Sequence, residues 1–130
     1  MILVDSSAWI EYLRGTGSEV NVRVRTYHDT TDQLAITEVV VMELLAGVQD
    51  EQAERRIEQM VGGIQLLRTI GLEDYMEAAR LYRECRRNGE TVRRMNDCLV
   101  AAVAIRNDVP VLQCDSDFAV LARHTPLQLA

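Results

Sequence analysis

From Cys98 to Ile105 the chain runs CLVAAVAI, eight residues without a charge, and the residue in front of that run is Asp97. A helix that is apolar on every side belongs inside a protein, and this one is too short to cross a bilayer, which takes ~20 residues. Asp97 therefore stands where a buried helix begins, beside its unpaired N–H groups and the positive end of its dipole. Taken alone, an acid there can be explained as a charge that favours the dipole. Its company points further. Asp5, Glu43 and Asp115 also stand at edges of apolar segments rather than on solvated faces.

The pattern along the chain alternates short apolar strands with helices. Ile2 to Val4 suits a buried parallel strand that Asp5 ends, and Ser6 or Ser7 can cap a helix carrying Ala8, Trp9, Tyr12 and Leu13 that stops near Gly15. Residues 18 to 31 read as a helix. Leu34 to Ile36 is a second strand, after which Thr37 can cap a helix from Glu38 to about Ala46. On that helix Val39, Met42, Glu43 and Ala46 share a face, which sets Glu43 at the margin of the buried side. A helix over Glu51 to Val61, with Ala53, Ile57 and Met60 or Val61 inward, ends at Gly62-Gly63. Ile64 to Leu67 is a third strand, and Leu72, Tyr75, Met76, Ala79, Tyr82 and Cys85 form a long helical stripe closed by Asn88-Gly89. Val111-Leu112 is a fourth strand followed by Asp115, Asp117 to Ala122 opens the last helix, and Leu127 to Leu129 is a candidate fifth, edge strand. The expected fold is α/β, a short parallel sheet of four to five strands with helices on both faces. With no linker or repeat, residues 1 to 130 are expected to form a single domain.

Ligands of open parallel sheets bind beyond the carboxyl ends of the strands, where strand order reverses. Asp5 and Asp115 each follow a strand and belong at that edge. If their strands are neighbours, Asp5, Glu43, Asp97 and Asp115, with Asp117 beside the last, form an acidic pocket. Two carboxylates about 4 Å apart repel by about 1 kcal/mol in water and about 4 kcal/mol at an intermediate dielectric. No lysine can relieve that, because all 14 basic residues are arginine. A hard divalent cation can, and Mg²⁺, or Mn²⁺ in its place, prefers an oxygen-only site completed by water and substrate phosphate. Such an ion activates a water and offsets charge developing on phosphorus, the chemistry of strand cleavage.

The other chemistries lack their residues. Aspartyl-phosphate enzymes of this strand-then-Asp kind need a lysine near the phosphoryl group. Metal-free RNA cleavage needs two imidazoles, and His28 and His124 both read as surface residues. No phosphate-binding GxxxxGK[ST] loop, GxSxG elbow or zinc spacing is present. Cys85, Cys98 and Cys114 read as reduced core or near-core thiols, which favours a reducing cytosol, and the first residues resemble neither a signal peptide nor a membrane anchor. A net charge of −6 argues mildly against a general nucleic-acid binder. Its distribution matters more, since Arg80, Arg83, Arg86, Arg87, Arg93 and Arg94 crowd into the approach to Asp97, as a solvated helix face or as donors to phosphate.

Four segments, ILVDSSAWIEYLRG, ITEVVVMELLAG, GETVRRMNDCLVAAVAI and LQCDSDFAVLA, resemble in order and spacing the PIN-domain nucleases, specifically the VapC toxins of bacterial type II toxin–antitoxin systems. The resemblance covers essentially the whole chain. It implies a PIN-like three-layer fold and an acidic quartet of Asp5, Glu43, Asp97 and Asp115, with Asp5, Asp97 and Asp115 as metal ligands, Asp117 as a fifth acid and Ser6 as the hydroxyl that orders the site. It departs from relatives at Gln113-Cys114, which puts an accessory polar contact there in question. It further implies an Mg²⁺-dependent endoribonuclease that cuts a structured RNA, tRNA or rRNA, as a homodimer neutralised by a cognate VapB antitoxin. Trp9, Tyr12 and Leu13 are then candidates for antitoxin contact or for ordinary core, and Arg86, Arg87, Arg93 and Arg94 are candidates for RNA phosphate contact. A DNA nuclease of the same fold, and a non-catalytic module whose acids engage a basic partner, remain the alternatives.

Overall fold

The computed structural model describes residues 1–30 and 33–130. Its elements run β1 (Ile2–Val4), α1 (Ser6–Arg14), α2 (Glu19–Thr30), β2 (Leu34–Ile36), α3 (Glu38–Ala46), α4 (Glu51–Gly62), β3 (Gln65–Leu66), α5 (Gly71–Arg87), α6 (Met95–Arg106), β4 (Val111–Leu112) and α7 (Ser116–His124). Residue 31, the expected end of the second helix, lies outside the described residues.

All strands pair in parallel in the order β3-β2-β1-β4. β1 is buried along its whole length, as the continuous apolar run of an inner parallel strand requires. Crossovers between parallel strands are right-handed as a rule, and with this strand order that rule puts the β1-to-β2 and β2-to-β3 connections on one face of the sheet and the β3-to-β4 connection on the other. Strand order therefore reverses between β1 and β4. The fifth strand is reduced to a single parallel bridge, Val111 to Leu129, with Leu127 buried in the core.

α6 is the most buried helix, with every residue from Asp97 to Ala104 inside. α5 departs from the expected stripe. Asp74, Ala78, Leu81 and Cys85 face inward, while Leu72, Tyr75 and Met76 are exposed at 73%, 57% and 62%. Asp74 decides this phase: buried, it accepts hydrogen bonds from the Ile70 N–H (2.7 Å) and from Arg106 Nε and Nη2 (3.0 and 2.8 Å). A carboxylate paired to an arginine and a helix-entry amide can occupy an interior position that hydrophobicity alone assigns to Tyr75 or Met76. On α3, likewise, Val39, Val40 and Leu44 are buried and Met42 is exposed, leaving Glu43 half-buried at the margin. Cys85 and Cys98 are buried, whereas Cys114 is exposed rather than near the core. His28 is exposed, but His124 is half-buried, its Nε2 2.8 Å from Glu90 Oε1. No helix among the described residues is long and apolar enough to cross a membrane.

Candidate active site

Each acid owes its place to the element it begins or ends. Asp5 follows β1 and is itself the N-cap of α1, the role expected of Ser6 or Ser7: its Oδ2 accepts the Ser7 N–H at 3.0 Å and the Ser7 hydroxyl at 2.7 Å. Asp115 follows β4 and caps α7, its Oδ1 accepting the Asp117 N–H at 2.9 Å. Both carboxylates use one oxygen to fix a helix and leave the other for the pocket. β1 and β4 are adjacent, Leu112 C=O accepts the Asp5 N–H at 3.0 Å, and Ser7 Oγ accepts the Cys114 N–H at 2.9 Å, so the two strand ends are sewn together.

Asp97 lies in the first turn of α6 and is 2% exposed. Asp97, Asp115 and Asp117 each bring a carboxylate oxygen within 4.8 Å of one another, a spacing that suits one cation. Asp5 and Glu43 join them electrostatically. Asp97 is pushed up to about 8, first by burial and then by the charges of Asp5, Asp115 and Asp117. Burial also raises Asp5 against the opposing effect of its Ser7 hydrogen bonds, and raises Glu43, with the charge of Asp5 adding to it. Asp5 Oδ1 and Asp97 Oδ2 are buried without any hydrogen-bond partner. Two orphaned carboxylate oxygens among repelling acids are costly unless a cation completes them, so these residues fit a divalent metal site.

Other side chains complete the pocket. Ser6 Oγ donates to Glu43 Oε1 at 3.3 Å, and the Asn96 side chain hydrogen-bonds the same carboxylate. The contact in question at Gln113 is made by its own amide, whose Oε1 accepts the Asp115 N–H at 2.6 Å. Asp117, buried, accepts the N–H groups of Arg93 and Arg94 on Oδ2, both at 3.1 Å. Arg93 reaches Asp117 Oδ1 (3.3 Å), Asp115 Oδ1 (3.5 Å) and Ser116 Oγ (2.9 Å), and Arg94 lies 4.0 Å from Asp115. Sequence reasoning missed Ser7 and Asn96. Their positions immediately beside acids at helix starts were the available signal, since short polar side chains there bond their neighbours.

The candidate binding residues separate. Arg93 and Arg94 come to the acids, while Arg87 pairs with Glu84 at 3.0 Å and the Arg86 guanidinium sits 5.7 Å from the centre of the Tyr82 ring, both on α5 itself. Trp9 is wholly buried and belongs to the core, which removes it from any partner surface. Its ring meets Tyr12 edge-on at 5.8 Å, and Tyr12 in turn leans on His28 of α2. Leu13 alone of the three lines a groove, of about 540 Å³, whose walls include Ile10, Leu44, Val48 and Ile57 and which reaches Glu43.

The PIN domain family matches residues 2–124, and ribonuclease VapC11 of Mycobacterium tuberculosis (strain H37Rv) is 44% identical over 131 aligned positions that cover 100% of this chain and 98% of that protein. The chain belongs to the PIN-domain family, among the VapC ribonucleases. A VapC ribonuclease of Mycobacterium bovis is similar to the same extent, 44% over 100% of this chain and 98% of its own length. Among solved structures, VapBC2 of Rickettsia felis bound to a promoter DNA fragment aligns with a TM-score of 0.78 at 16% identity, covering 100% of this chain and 98% of that one. VapC20 of M. tuberculosis, described as a sarcin–ricin loop cleaving toxin, aligns with a TM-score of 0.65 at 17% identity over 92% and 93%. At those identities the structures speak for the fold, which is that of the PIN domain.

Proposed function

We propose that this chain is the toxin of a toxin–antitoxin pair, an Mg²⁺-dependent endoribonuclease that acts in the cytosol on a structured RNA, tRNA or rRNA. The observation that carries this reading is the pair of partnerless buried oxygens, Asp5 Oδ1 and Asp97 Oδ2, set beside Asp115 and Asp117. Asp97, Asp115 and Asp117, whose oxygens converge within 4.8 Å, would hold the ion together with Asp5, whose Oδ1 is buried without a partner and whose charge acts on Asp97. A divalent ion bound there supplies an activated water and offsets negative charge on the scissile phosphate. Glu43, raised by burial and by Asp5 and steadied by Ser6 and Asn96, is suited to take a proton from the attacking water. Arg93 and Arg94 stand at the rim, where a phosphate would approach, and Arg86 and Arg87 extend the basic approach along α5.

The antitoxin is expected to lay an apolar helix in the groove walled by Ile10, Leu13, Leu44, Val48 and Ile57, and so to close the path that ends at Glu43. A second copy of the chain is expected on the exposed apolar face of Leu72, Tyr75 and Met76, which a lone subunit leaves to water. Induction of the protein in cells followed by sequencing of newly formed RNA ends tests the reading. Discrete ends in one RNA, dependent on Mg²⁺ with purified protein and lost in Asp97→Asn, are expected. Scission of single-stranded DNA but not RNA would instead favour a DNA nuclease, and no scission of either a binding module.

A further inference from the structure

The acids of the pocket already have a positive neighbour. Arg93 approaches from the segment ahead of α6, and its guanidinium spans Asp115, Ser116 and Asp117. Orientation of those acids does not depend on it. Asp115 is held by the N–H of Asp117 and by the contact of its own N–H with Gln113, and Asp117 is held by two backbone amides at 3.1 Å. The guanidinium adds charge to an arrangement the backbone has already set. It is also lightly held. Its contacts with the two carboxylates are 3.3 and 3.5 Å, longer than the roughly 2.7–2.9 Å of a firm charge-assisted bond, and its shortest contact, 2.9 Å, is with a neutral hydroxyl. The side chain is 69% exposed, whereas the carboxylates it touches are 15% and 3% exposed. It is a cation resting on the mouth of a site from the solvent side.

We infer that Arg93 is a displaceable counter-ion: it neutralises Asp115 and Asp117 while no divalent ion is held, and it is released to bind an RNA phosphate when one is. This rests on the nuclease reading above. The acids whose oxygens converge within 4.8 Å are the ones Arg93 contacts, joined by Asp97 with its orphaned oxygen, so a cation seated there and the guanidinium share the same carboxylates and repel each other. Pushed outward, a planar guanidinium at the rim presents its paired donors to phosphate. The arrangement makes metal occupancy a condition for full RNA affinity.

The inference separates two effects that a scaffold residue would move together. In calorimetric titration of the RNA-free protein with Mg²⁺, Arg93→Gln is expected to bind the ion roughly three- to tenfold more tightly than wild type, because one competing positive charge is gone, and Arg93→Lys to stay near wild type. RNA binding is then read by fluorescence anisotropy with a labelled single-stranded oligoribonucleotide. The cleavage-disabled Glu43→Gln background keeps Asp5, Asp97, Asp115 and Asp117. At fixed Mg²⁺ the dependence of log affinity on log salt is expected to be shallower by about 0.7 when Arg93 is replaced by Gln, the contribution of one neutralised phosphate. In the chelator EDTA the two slopes are expected to coincide. Weaker Mg²⁺ binding by Arg93→Gln would overturn the inference by showing Arg93 to be a scaffold. Equal slopes with and without Mg²⁺ would overturn it by showing no release. A wild-type protein that binds no Mg²⁺ in the same titration would overturn the nuclease reading itself, and the inference with it.

Discussion

Asp97→Asn is expected to end RNA cleavage and, at the same time, to make the metal-free protein more resistant to heat. In the folded chain Asp97 is buried among Asp5, Asp115 and Asp117 and is pushed from 3.8 to about 8. At about 1.36 kcal/mol for each pH unit, that displacement sets a ceiling of roughly 6 kcal/mol on what the native state loses by holding this carboxylate. Solvent at the pocket mouth and protons shared among the coupled acids reduce the recoverable part to about 2–3 kcal/mol. Below pH ~4 the group is protonated in both folded and unfolded chains and nothing is lost. Between pH ~4 and ~8 the unfolded chain releases the proton while the folded one retains it, so stability falls as pH rises through that window. Asn keeps the shape and carries no charge at any pH. For a chain of this size about 3–4 °C accompanies each kcal/mol, so Asp97→Asn should melt roughly 6–12 °C above wild type at pH 8 in EDTA, with the gap narrowing steadily toward pH 5. Differential scanning fluorimetry across that range, repeated with Mg²⁺, measures it. Mg²⁺ should raise the wild-type melting temperature and leave the variant nearly unmoved. A variant that melts at or below wild type at pH 8, or a gap that does not change with pH, would refute the account of a repulsive pocket awaiting a cation.

Leu13→Glu interrupts the apolar wall that Leu13 shares with Ile10, Leu44, Val48 and Ile57 and should weaken the proposed antitoxin binding at least tenfold in a pull-down or calorimetric titration while RNA cleavage by the protein alone continues. The dimer contact proposed at Leu72, Tyr75 and Met76 is tested by Leu72→Glu combined with Met76→Glu, which should leave only monomer in size-exclusion chromatography with light scattering; a dimer that persists would place the contact elsewhere. Asp74→Ala removes the acceptor of Arg106 and of the Ile70 N–H and should lower stability by about 2–4 kcal/mol in urea denaturation. Partnership with Arg106 and Ile70 holds the Asp74 carboxyl below its ordinary value, so its contribution should fade as pH falls through that lowered value and be fully present above the ordinary one.

Much of this architecture is legible locally. A strand ended by an acid and followed by a helix is written plainly at Asp5 and at Asp115, because three apolar residues, a capping carboxylate and a helical stripe each have a short-range signature. The uncharged run after Asp97 likewise announces the central helix. Local periodicity is less informative where a polar residue has a partner elsewhere. Asp74 is buried against Arg106, 32 residues away, and no pattern within α5 reveals that its apolar-looking stripe of Leu72, Tyr75 and Met76 faces out. Trp9 is ambiguous for the same reason, since an aromatic on a helix serves equally as core or as a contact, and only the packing around it, which leaves it no exposure, decides.

The amino-acid sequence by itself determines which groups are available: five acids at the edges of apolar segments, no lysine, and arginines gathered before Asp97. Tertiary structure alone decides that β4 lies beside β1 rather than beside β3, which brings Asp115 to the same sheet edge as Asp5 and gathers Asp97, Asp115 and Asp117 within 4.8 Å of one another. The physical reason is that hydrophobic pattern reports only that a segment must be buried. Which segments bury one another follows from crossover handedness and the close packing of side chains remote in the chain, and it is that packing which forces like charges together and so makes a site for a cation.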